Sequence, residues 1–316
     1  LMDFYAGVIM LQQLPAYQQG KLDAAEFGAS LDRLAEMRES VRQVTDPESL
    51  KIYLWPHGQM PVIEPYTENP GEMFWDRPGF EPYIIPYLLD SNEKPKGAVV
   101  ICPGGGYFVR SEPAEGHEYA EYFNSIGYQA FVLHYRLQPY TRIESSLDLQ
   151  RAIRYVRYNA ERYNIPADRI IAVGSSAGGA VCINTVNEMY GYIQPGEFVE
   201  GYESDEVDKV SADVNALIGM YTGLIQKFDM TDAEGIVNPE FPPTFLVYGN
   251  KDFAAKDWFG FARLLIKNDI PVELHVFEGA PHGFGIGYDY TIGGTPIEGV
   301  NKWPELAGIW LDRVLR

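Results

Sequence analysis

The chain has 316 residues, 46% of them hydrophobic, which is ample for one large α/β core with elaborations. Its 44 acidic residues outnumber 25 basic ones, and a net charge of −19 repels phosphate backbones and anionic lipid. Nucleic-acid and membrane partners are thereby disfavoured, a neutral substrate fits better than a polyanion, and two cysteines make no disulfide framework.

The N-terminus, Leu1 to Met10, is apolar but lacks a basic region and a small-residue cleavage site. No apolar run is long enough to span a bilayer. The expected location is the cytoplasm, with a trimmed leader the alternative because the first residue is not Met. Residues 21–44 carry Leu22, Phe27, Leu31, Leu34, Met37, Val41 and Val44 at near-helical spacing, which predicts an amphipathic helix. Residues 55–80, rich in Pro, Gly and aromatics, predict an ordered irregular loop. The division expected is an N-terminal helical and irregular extension over 1–80, as cap or packing segment, and a catalytic α/β domain over 81–316.

Within that domain Tyr83–Leu89 predicts an edge strand, because Pro86 fits poorly in a central one. Strands are then expected at Ala98–Cys102, Ala130–His134, Ile170–Val173, Ala216–Met220, Thr244–Tyr248 and Val272–Phe277. Helices are expected at Ala114–Ile126, Ser145–Arg162, Ser176 to Met189, Asp257–Asn268 and Trp303–Leu315. The alternation implies a mostly parallel central sheet with helices on both faces. Gly191–Asp213 is polar and acidic and breaks the alternation, as a lid or a surface insertion would. Cys102 and Cys182 sit in apolar contexts and read as small buried hydrophobes.

Chemistry concentrates where predicted strands end. Gly174-Ser175-Ser176-Ala177-Gly178 is a G-x-S-x-G pattern between a strand and a helix, a turn that presents a serine hydroxyl outward. Asp252 follows the strand ending at Tyr248, and His282 follows the strand ending at Phe277. Active sites gather at that edge of open α/β sheets. Ser176 is the expected nucleophile, His282 its base and Asp252 the group that orients the imidazole, with Asp257 close enough in sequence to compete. Pro103-Gly104-Gly105-Gly106 ends another strand. Gly105 and Gly106, with the N–H of Ala177, are the expected oxyanion donors. Singly, each piece has a plainer reading: a phosphate turn for Gly104–Gly106, a loop cap for Asp252, a packed histidine for His282. The glycine spacing is no P-loop, however, and all four pieces occur in order. His134 and His275 lie in predicted strands and read as packing residues. His117 lies in a predicted helix and His57 in the Pro-rich loop.

With these residues in place, the sequence resembles the α/β-hydrolase superfamily, and more narrowly bacterial acetyl-xylan-esterase-like carbohydrate esterases. The resemblance runs over residues 80–316 or so, through Cys102–Tyr107, Glu115-Gly116, Phe131–Leu137, Asp148–Arg157, the Ser176 turn, Asp252 and Pro281–Phe284. It implies an α/β-hydrolase fold and a serine esterase that removes short acyl groups, acetyl above all, from oligosaccharides, with Tyr107 as a substrate contact. Pro103 stands where the lipase-type motif has His, which favours the carbohydrate-esterase branch. The alternatives are a general short-chain carboxylesterase, a serine peptidase of the prolyl-oligopeptidase type and a catalytically inert binding protein of the same fold. No cofactor is implied, and no two histidines lie at metal-ligand spacing. A homo-oligomer stays open.

Overall fold

The computed structural model describes residues 50–316 apart from 64, 68–75, 91–92, 224–234 and 290–293. The helix expected over 21–44, and most of the 1–80 extension, lies outside the described residues. Eight strands form one sheet: β1 (Ile52–Tyr53), β2 (Tyr83–Tyr87), β3 (Ala98–Cys102), β4 (Gln129–His134), β5 (Ile170–Ser175), β6 (Ala216–Met220), β7 (Thr244–Gly249) and β8 (Val272–Phe277). Their spatial order is β1-β2-β4-β3-β5-β6-β7-β8. The β1–β2 and β2–β4 pairs are antiparallel, and every later neighbour is parallel. The carboxyl ends of β3, β5, β7 and β8 therefore share one edge.

Side chains of successive strand residues alternate between two faces. On one face Val100, Phe131, Ala172, Leu217 and Leu246 join the apolar sides of α2 (Arg142–Tyr158), α3 (Ser176–Glu188) and α4 (Ala255–Lys267). On the other, Val99, Ile101, Val132, Val173 and Phe245 join α1 (Glu118–Ser125) and α5 (Trp303–Val314). Residues of β3, β4, β5, β6 and β7 are buried throughout, as strands covered on both faces require. Large side chains such as Phe131, Trp258 and Trp303 are fully buried, each worth roughly 1.5–3 kcal/mol of transfer free energy.

Three expectations shift. β2 is not the outermost strand, because the short β1 pairs with its free side. The helix expected from Ser145 begins at Arg142: Thr141 Oγ1 accepts the Glu144 N–H while Glu144 accepts the Thr141 N–H at 2.8 Å, a reciprocal cap three residues before the apolar repeat. The helix expected from Ala114 opens as a wide turn over Pro113–His117 and becomes α-helical at Glu118.

Residues 191–213, expected as a lid or a surface insertion, are tied to α2 and to residue 55 by polar contacts. Arg151 of α2 binds Asp205 at 2.6 Å and Asp208 at 3.0 Å, Gln150 donates to the Ile193 carbonyl, and Trp55 donates to the Tyr202 hydroxyl. An open cavity of about 580 Å³ lies between residues 58–62 and 199–203, and Ser176, Asp252 and His282 do not line it.

Candidate active site

The turn from β5 into α3 is tight enough to need glycine on both sides. A Cβ on Gly178 would stand 2.0 Å from the Cys102 carbonyl oxygen, and one on Gly174 would stand 2.6 Å from the Gly178 carbonyl oxygen. Between them Ser176 has φ +48, a left-handed backbone that costs a non-glycine residue about 1–2 kcal/mol. The strain lifts the side chain off the helix axis toward the sheet edge. There Ser176 Oγ lies 2.8 Å from His282 Nε2, and His282 Nδ1 lies 3.0 Å from both carboxylate oxygens of Asp252. Nδ1–H donating to Asp252 leaves Nε2 as acceptor for the serine hydroxyl. Asp252 is buried, and Oδ1 also accepts the Ala254 N–H at 2.8 Å, which fixes the carboxylate. The competing residue, Asp257, falls in the first turn of α4; its side chain is outside the described residues.

The glycine loop after β3 packs directly on Ser176. A Cβ on Gly104 would be 2.8 Å from Ser176 Cβ. Gly105 has φ +130 and Gly106 φ +66, and a Cβ on Gly105 would sit 2.1 Å from the Val109 carbonyl oxygen. The Gly104 N–H is already committed to Glu115 Oε2 at 2.7 Å, which leaves Gly105 and Gly106 as the loop's candidate donors. Ala177 opens the first turn of α3, where backbone N–H groups lack intrahelical partners and the helix dipole is positive.

Tyr107 is a correction. Its φ of +66 turns the ring inward: only 2% of the residue is exposed, and the ring packs edge-on against Tyr135 with the Arg142 guanidinium 5.1 Å away. It braces the loop from behind and offers no open surface to a substrate.

Several residues at the site escape motif reading. Phe253 lies tilted on the His282 imidazole, 4.5 Å between centroids, and is itself 81% exposed. Tyr221 meets the same imidazole edge-on at 5.1 Å. Behind them runs a buried chain of hydrogen bonds. Ser175 donates to the Tyr119 hydroxyl at 3.0 Å, Tyr119 and Tyr221 hydroxyls are 3.0 Å apart, and Tyr221 donates to Glu115 Oε1 at 2.9 Å. Burial pushes the Glu115 carboxyl above the usual carboxylate range, against the hydrogen bonds from Tyr221 and Gly104 and the attraction of His282. Burial also pushes both phenols well above their ordinary value, so they stay neutral. The only forewarning was Glu115-Gly116 as part of a resemblance.

The other histidines sit elsewhere. His134 is buried and stacks on Tyr83, His275 pairs with Glu273 on β8, His117 meets the Tyr87 hydroxyl, and His57 is exposed beside Glu81. Cys102 and Cys182 are free and buried, and burial pushes the Cys102 thiol up. Among the described residues no cluster of three or more His, Cys, Asp or Glu could hold a metal, and no helix is long and apolar enough to cross a membrane.

Residues 86–222, from β2 through the glycine loop and the serine turn, match the BD-FAE family model. An acetyl ester-xyloside bifunctional hydrolase from Caldicellulosiruptor lactoaceticus superposes with a TM-score of 0.67 at 29% identity, over 84% of this chain and 96% of that one. The chain belongs to the α/β-hydrolase superfamily. This α/β-hydrolase is also 26% identical over 89% of its length to endo-1,4-β-xylanase B of Butyrivibrio fibrisolvens, covering 47% of that protein. An acetylxylan esterase of Xylanibacter ruminicola is 38% identical over 88 residues, which are 28% of this chain and 18% of the esterase. The chain thus spans at most about half the length of these curated relatives.

Proposed function

We propose that the protein is a serine carboxylic-ester hydrolase that removes short acyl groups, acetyl above all, from oligosaccharides through an acyl-enzyme. The observation that carries the reading is the continuous relay from Ser176 Oγ through His282 to Asp252 at 2.8 and 3.0 Å, lying against the glycine loop. Ser176 attacks the acyl carbon as His282 takes its proton, and Gly105, Gly106 and Ala177 donate to the oxyanion. His282 returns the proton to the departing alcohol, leaving the acyl group on Oγ. Water, deprotonated by His282, then releases the acid and restores the serine. Asp252 holds the imidazole in the required tautomer and stabilises its charged form.

Two features support the substrate class. A Cβ built on Gly223 would stand 3.8 Å from Ser176 Oγ, so backbone closes in beside the nucleophile where an acyl group must fit. The leaving alcohol takes its proton from Nε2, and the exposed Phe253 ring beside that imidazole offers an apolar platform for a sugar ring. The names of the acetylxylan esterase and the bifunctional hydrolase agree with acetylated xylan fragments.

The test compares p-nitrophenyl acetate, longer p-nitrophenyl esters, acetylated xylo-oligosaccharides and dipeptidyl amides. Turnover should be fastest with acetyl esters, and Ser176→Ala should remove it while the fold stays intact. Full activity in Ser176→Ala would overturn the mechanism. Preference for long acyl chains would move the reading to a general carboxylesterase, and preference for dipeptidyl amides to a peptidase.

A further inference from the structure

We propose that Glu115 is a positioning residue of this active site: its carboxylate holds the oxyanion loop through the Gly104 N–H and ties that loop, through Tyr221, to the segment carrying His282. The proposal rests on the serine-hydrolase reading of Ser176.

The geometry leaves Glu115 one working state. Both carboxyl oxygens receive donors, Gly104 N–H on Oε2 at 2.7 Å and Tyr221 O–H on Oε1 at 2.9 Å. Tyr221 in turn accepts the Gly285 N–H at 3.1 Å and faces the Tyr119 hydroxyl at 3.0 Å. Its single proton is therefore committed to Glu115, and its lone pairs to Gly285 and Tyr119. Ser175, Tyr119 and Tyr221 donate in one direction toward the acceptor-only Glu115 carboxylate, which the Gly104 N–H meets from the other side. It joins the last residue of β5, the first glycine of the oxyanion loop and Gly285, three residues after the base. Trp303 of α5 donates to the Gly285 carbonyl at 2.9 Å and anchors that end. The nucleophile, the oxyanion donors and the base stand on three separate loops, and this chain spans all three.

Glu115 is buried, so this network is costly to break and rigid when complete. The titratable groups that face it are Tyr221, Tyr119, Tyr135 and His282. His282 becomes an imidazolium during each turnover, and a nearby carboxylate favours that charge. A protonated Glu115 would turn one oxygen into a donor and displace either Gly104 or Tyr221. Burial lifts the Glu115 carboxyl above the ordinary range, which brings that loss closer to neutral pH.

The experiment uses the full chain with two variants, Glu115→Gln and Tyr221→Phe. It reads kcat and KM on p-nitrophenyl acetate, and the pH dependence of Ser176 labelling by a fluorophosphonate. Glu115→Gln presents an amide N–H₂ to one of two donors and removes the charge facing His282. We expect kcat to fall about 10–100-fold with KM within about threefold, since oxyanion contacts form in the transition state. The acid limb of labelling should move to lower pH, because the imidazole loses a stabilising anion. Tyr221→Phe keeps the ring against His282 but deletes one donor to Glu115, so kcat should fall about 3–10-fold and the acid limb should move to higher pH. Opposite displacements are a signature that simple loosening of the fold does not produce. If Glu115→Gln does not fold, Tyr221→Phe decides alone. Any folded variant with kcat within twofold of wild type, or with an acid limb unmoved or moved the other way, overturns the proposal. A wild type that labels but hydrolyses no ester sinks the ester reading and leaves labelling to decide this one. A wild type that neither labels nor turns over overturns both.

Discussion

Two regions of this molecule bury polar groups to opposite ends. Between β4 and α2, Arg136 is fully buried and bound to α2. Its guanidinium takes Asp148 at 2.6 and 3.0 Å, the Pro61 carbonyl at 2.5 Å and the Glu144 carbonyl at 3.2 Å. At the carboxyl edge of the sheet the polar groups converge too, but positive φ at Ser176, Tyr107 and Tyr221 leaves the relay ending on an exposable serine oxygen. The first arrangement closes on itself and fastens residues 54–61 and 191–213 to the core. The second ends on Ser176, which is only half-buried. Substitutions in the first region should therefore appear as lost stability, and in the second as lost rate.

The sharpest break of that contrast would come from Asp252→Asn. We expect kcat to fall roughly 10⁴-fold, about 5.4 kcal/mol of transition-state stabilisation, with the melting temperature near wild type. A protein that melts much earlier would place Asp252 on the structural side. Arg136→Met should do the reverse. It strands the Asp148 carboxylate and should cost about 3–5 kcal/mol in urea unfolding, while activity per folded molecule holds. Adding Asp148→Leu should restore most of that loss, and failure to do so would mean that the pair does more than neutralise itself. Phe253→Ala tests the rim, where neither effect dominates. Its kcat/KM on acetylated xylo-oligosaccharide should drop about 3–10-fold, roughly 1 kcal/mol of stacking, with ethyl acetate unaffected. Equal losses on both substrates would remove the platform role.

The smallest effect belongs to Asp205→Asn, at about 0.5–1 kcal/mol near neutral pH, because Asp205 is part exposed and its charge is screened. The hydrogen bond from Arg151 holds the Asp205 carboxyl below its ordinary range. A depressed native value means stability present above the unfolded carboxylate value and lost as pH falls through the native one. The gap between wild type and variant in denaturant midpoint should therefore close toward pH 3, and a gap that widens would contradict the pairing.

What could be read from residues alone follows from how local each signal is. The strands over β3 to β8 were legible because apolar runs between helical stretches leave few alternatives, and Ser176, Asp252 and His282 because each follows a strand end in the required order. The three are brought together at hydrogen-bonding distance. Tyr107 misled because proximity in sequence to the glycine loop says nothing about which way a positive φ turns the ring. Glu115 and Tyr221 were opaque for another reason. A glutamate opening a helix looks like a solvated cap, and only the crossing of loops 106 residues apart brings Tyr221 to it. The start of α2 was readable in Thr141 and Glu144, but the apolar repeat drew attention to Ser145.

The left-handed backbone of Ser176 sets the two demands on this position against each other. By conformation alone the position is best filled by glycine, which would shed the strain and erase the hydroxyl in one substitution. Random change that favours a sturdier chain thus points here toward silence, and a population of such chains would drift there unless turnover were itself under selection. Ser176→Gly is therefore the natural scaffold for holding an intact ester in place: the backbone strain is relieved and the reacting hydroxyl is gone.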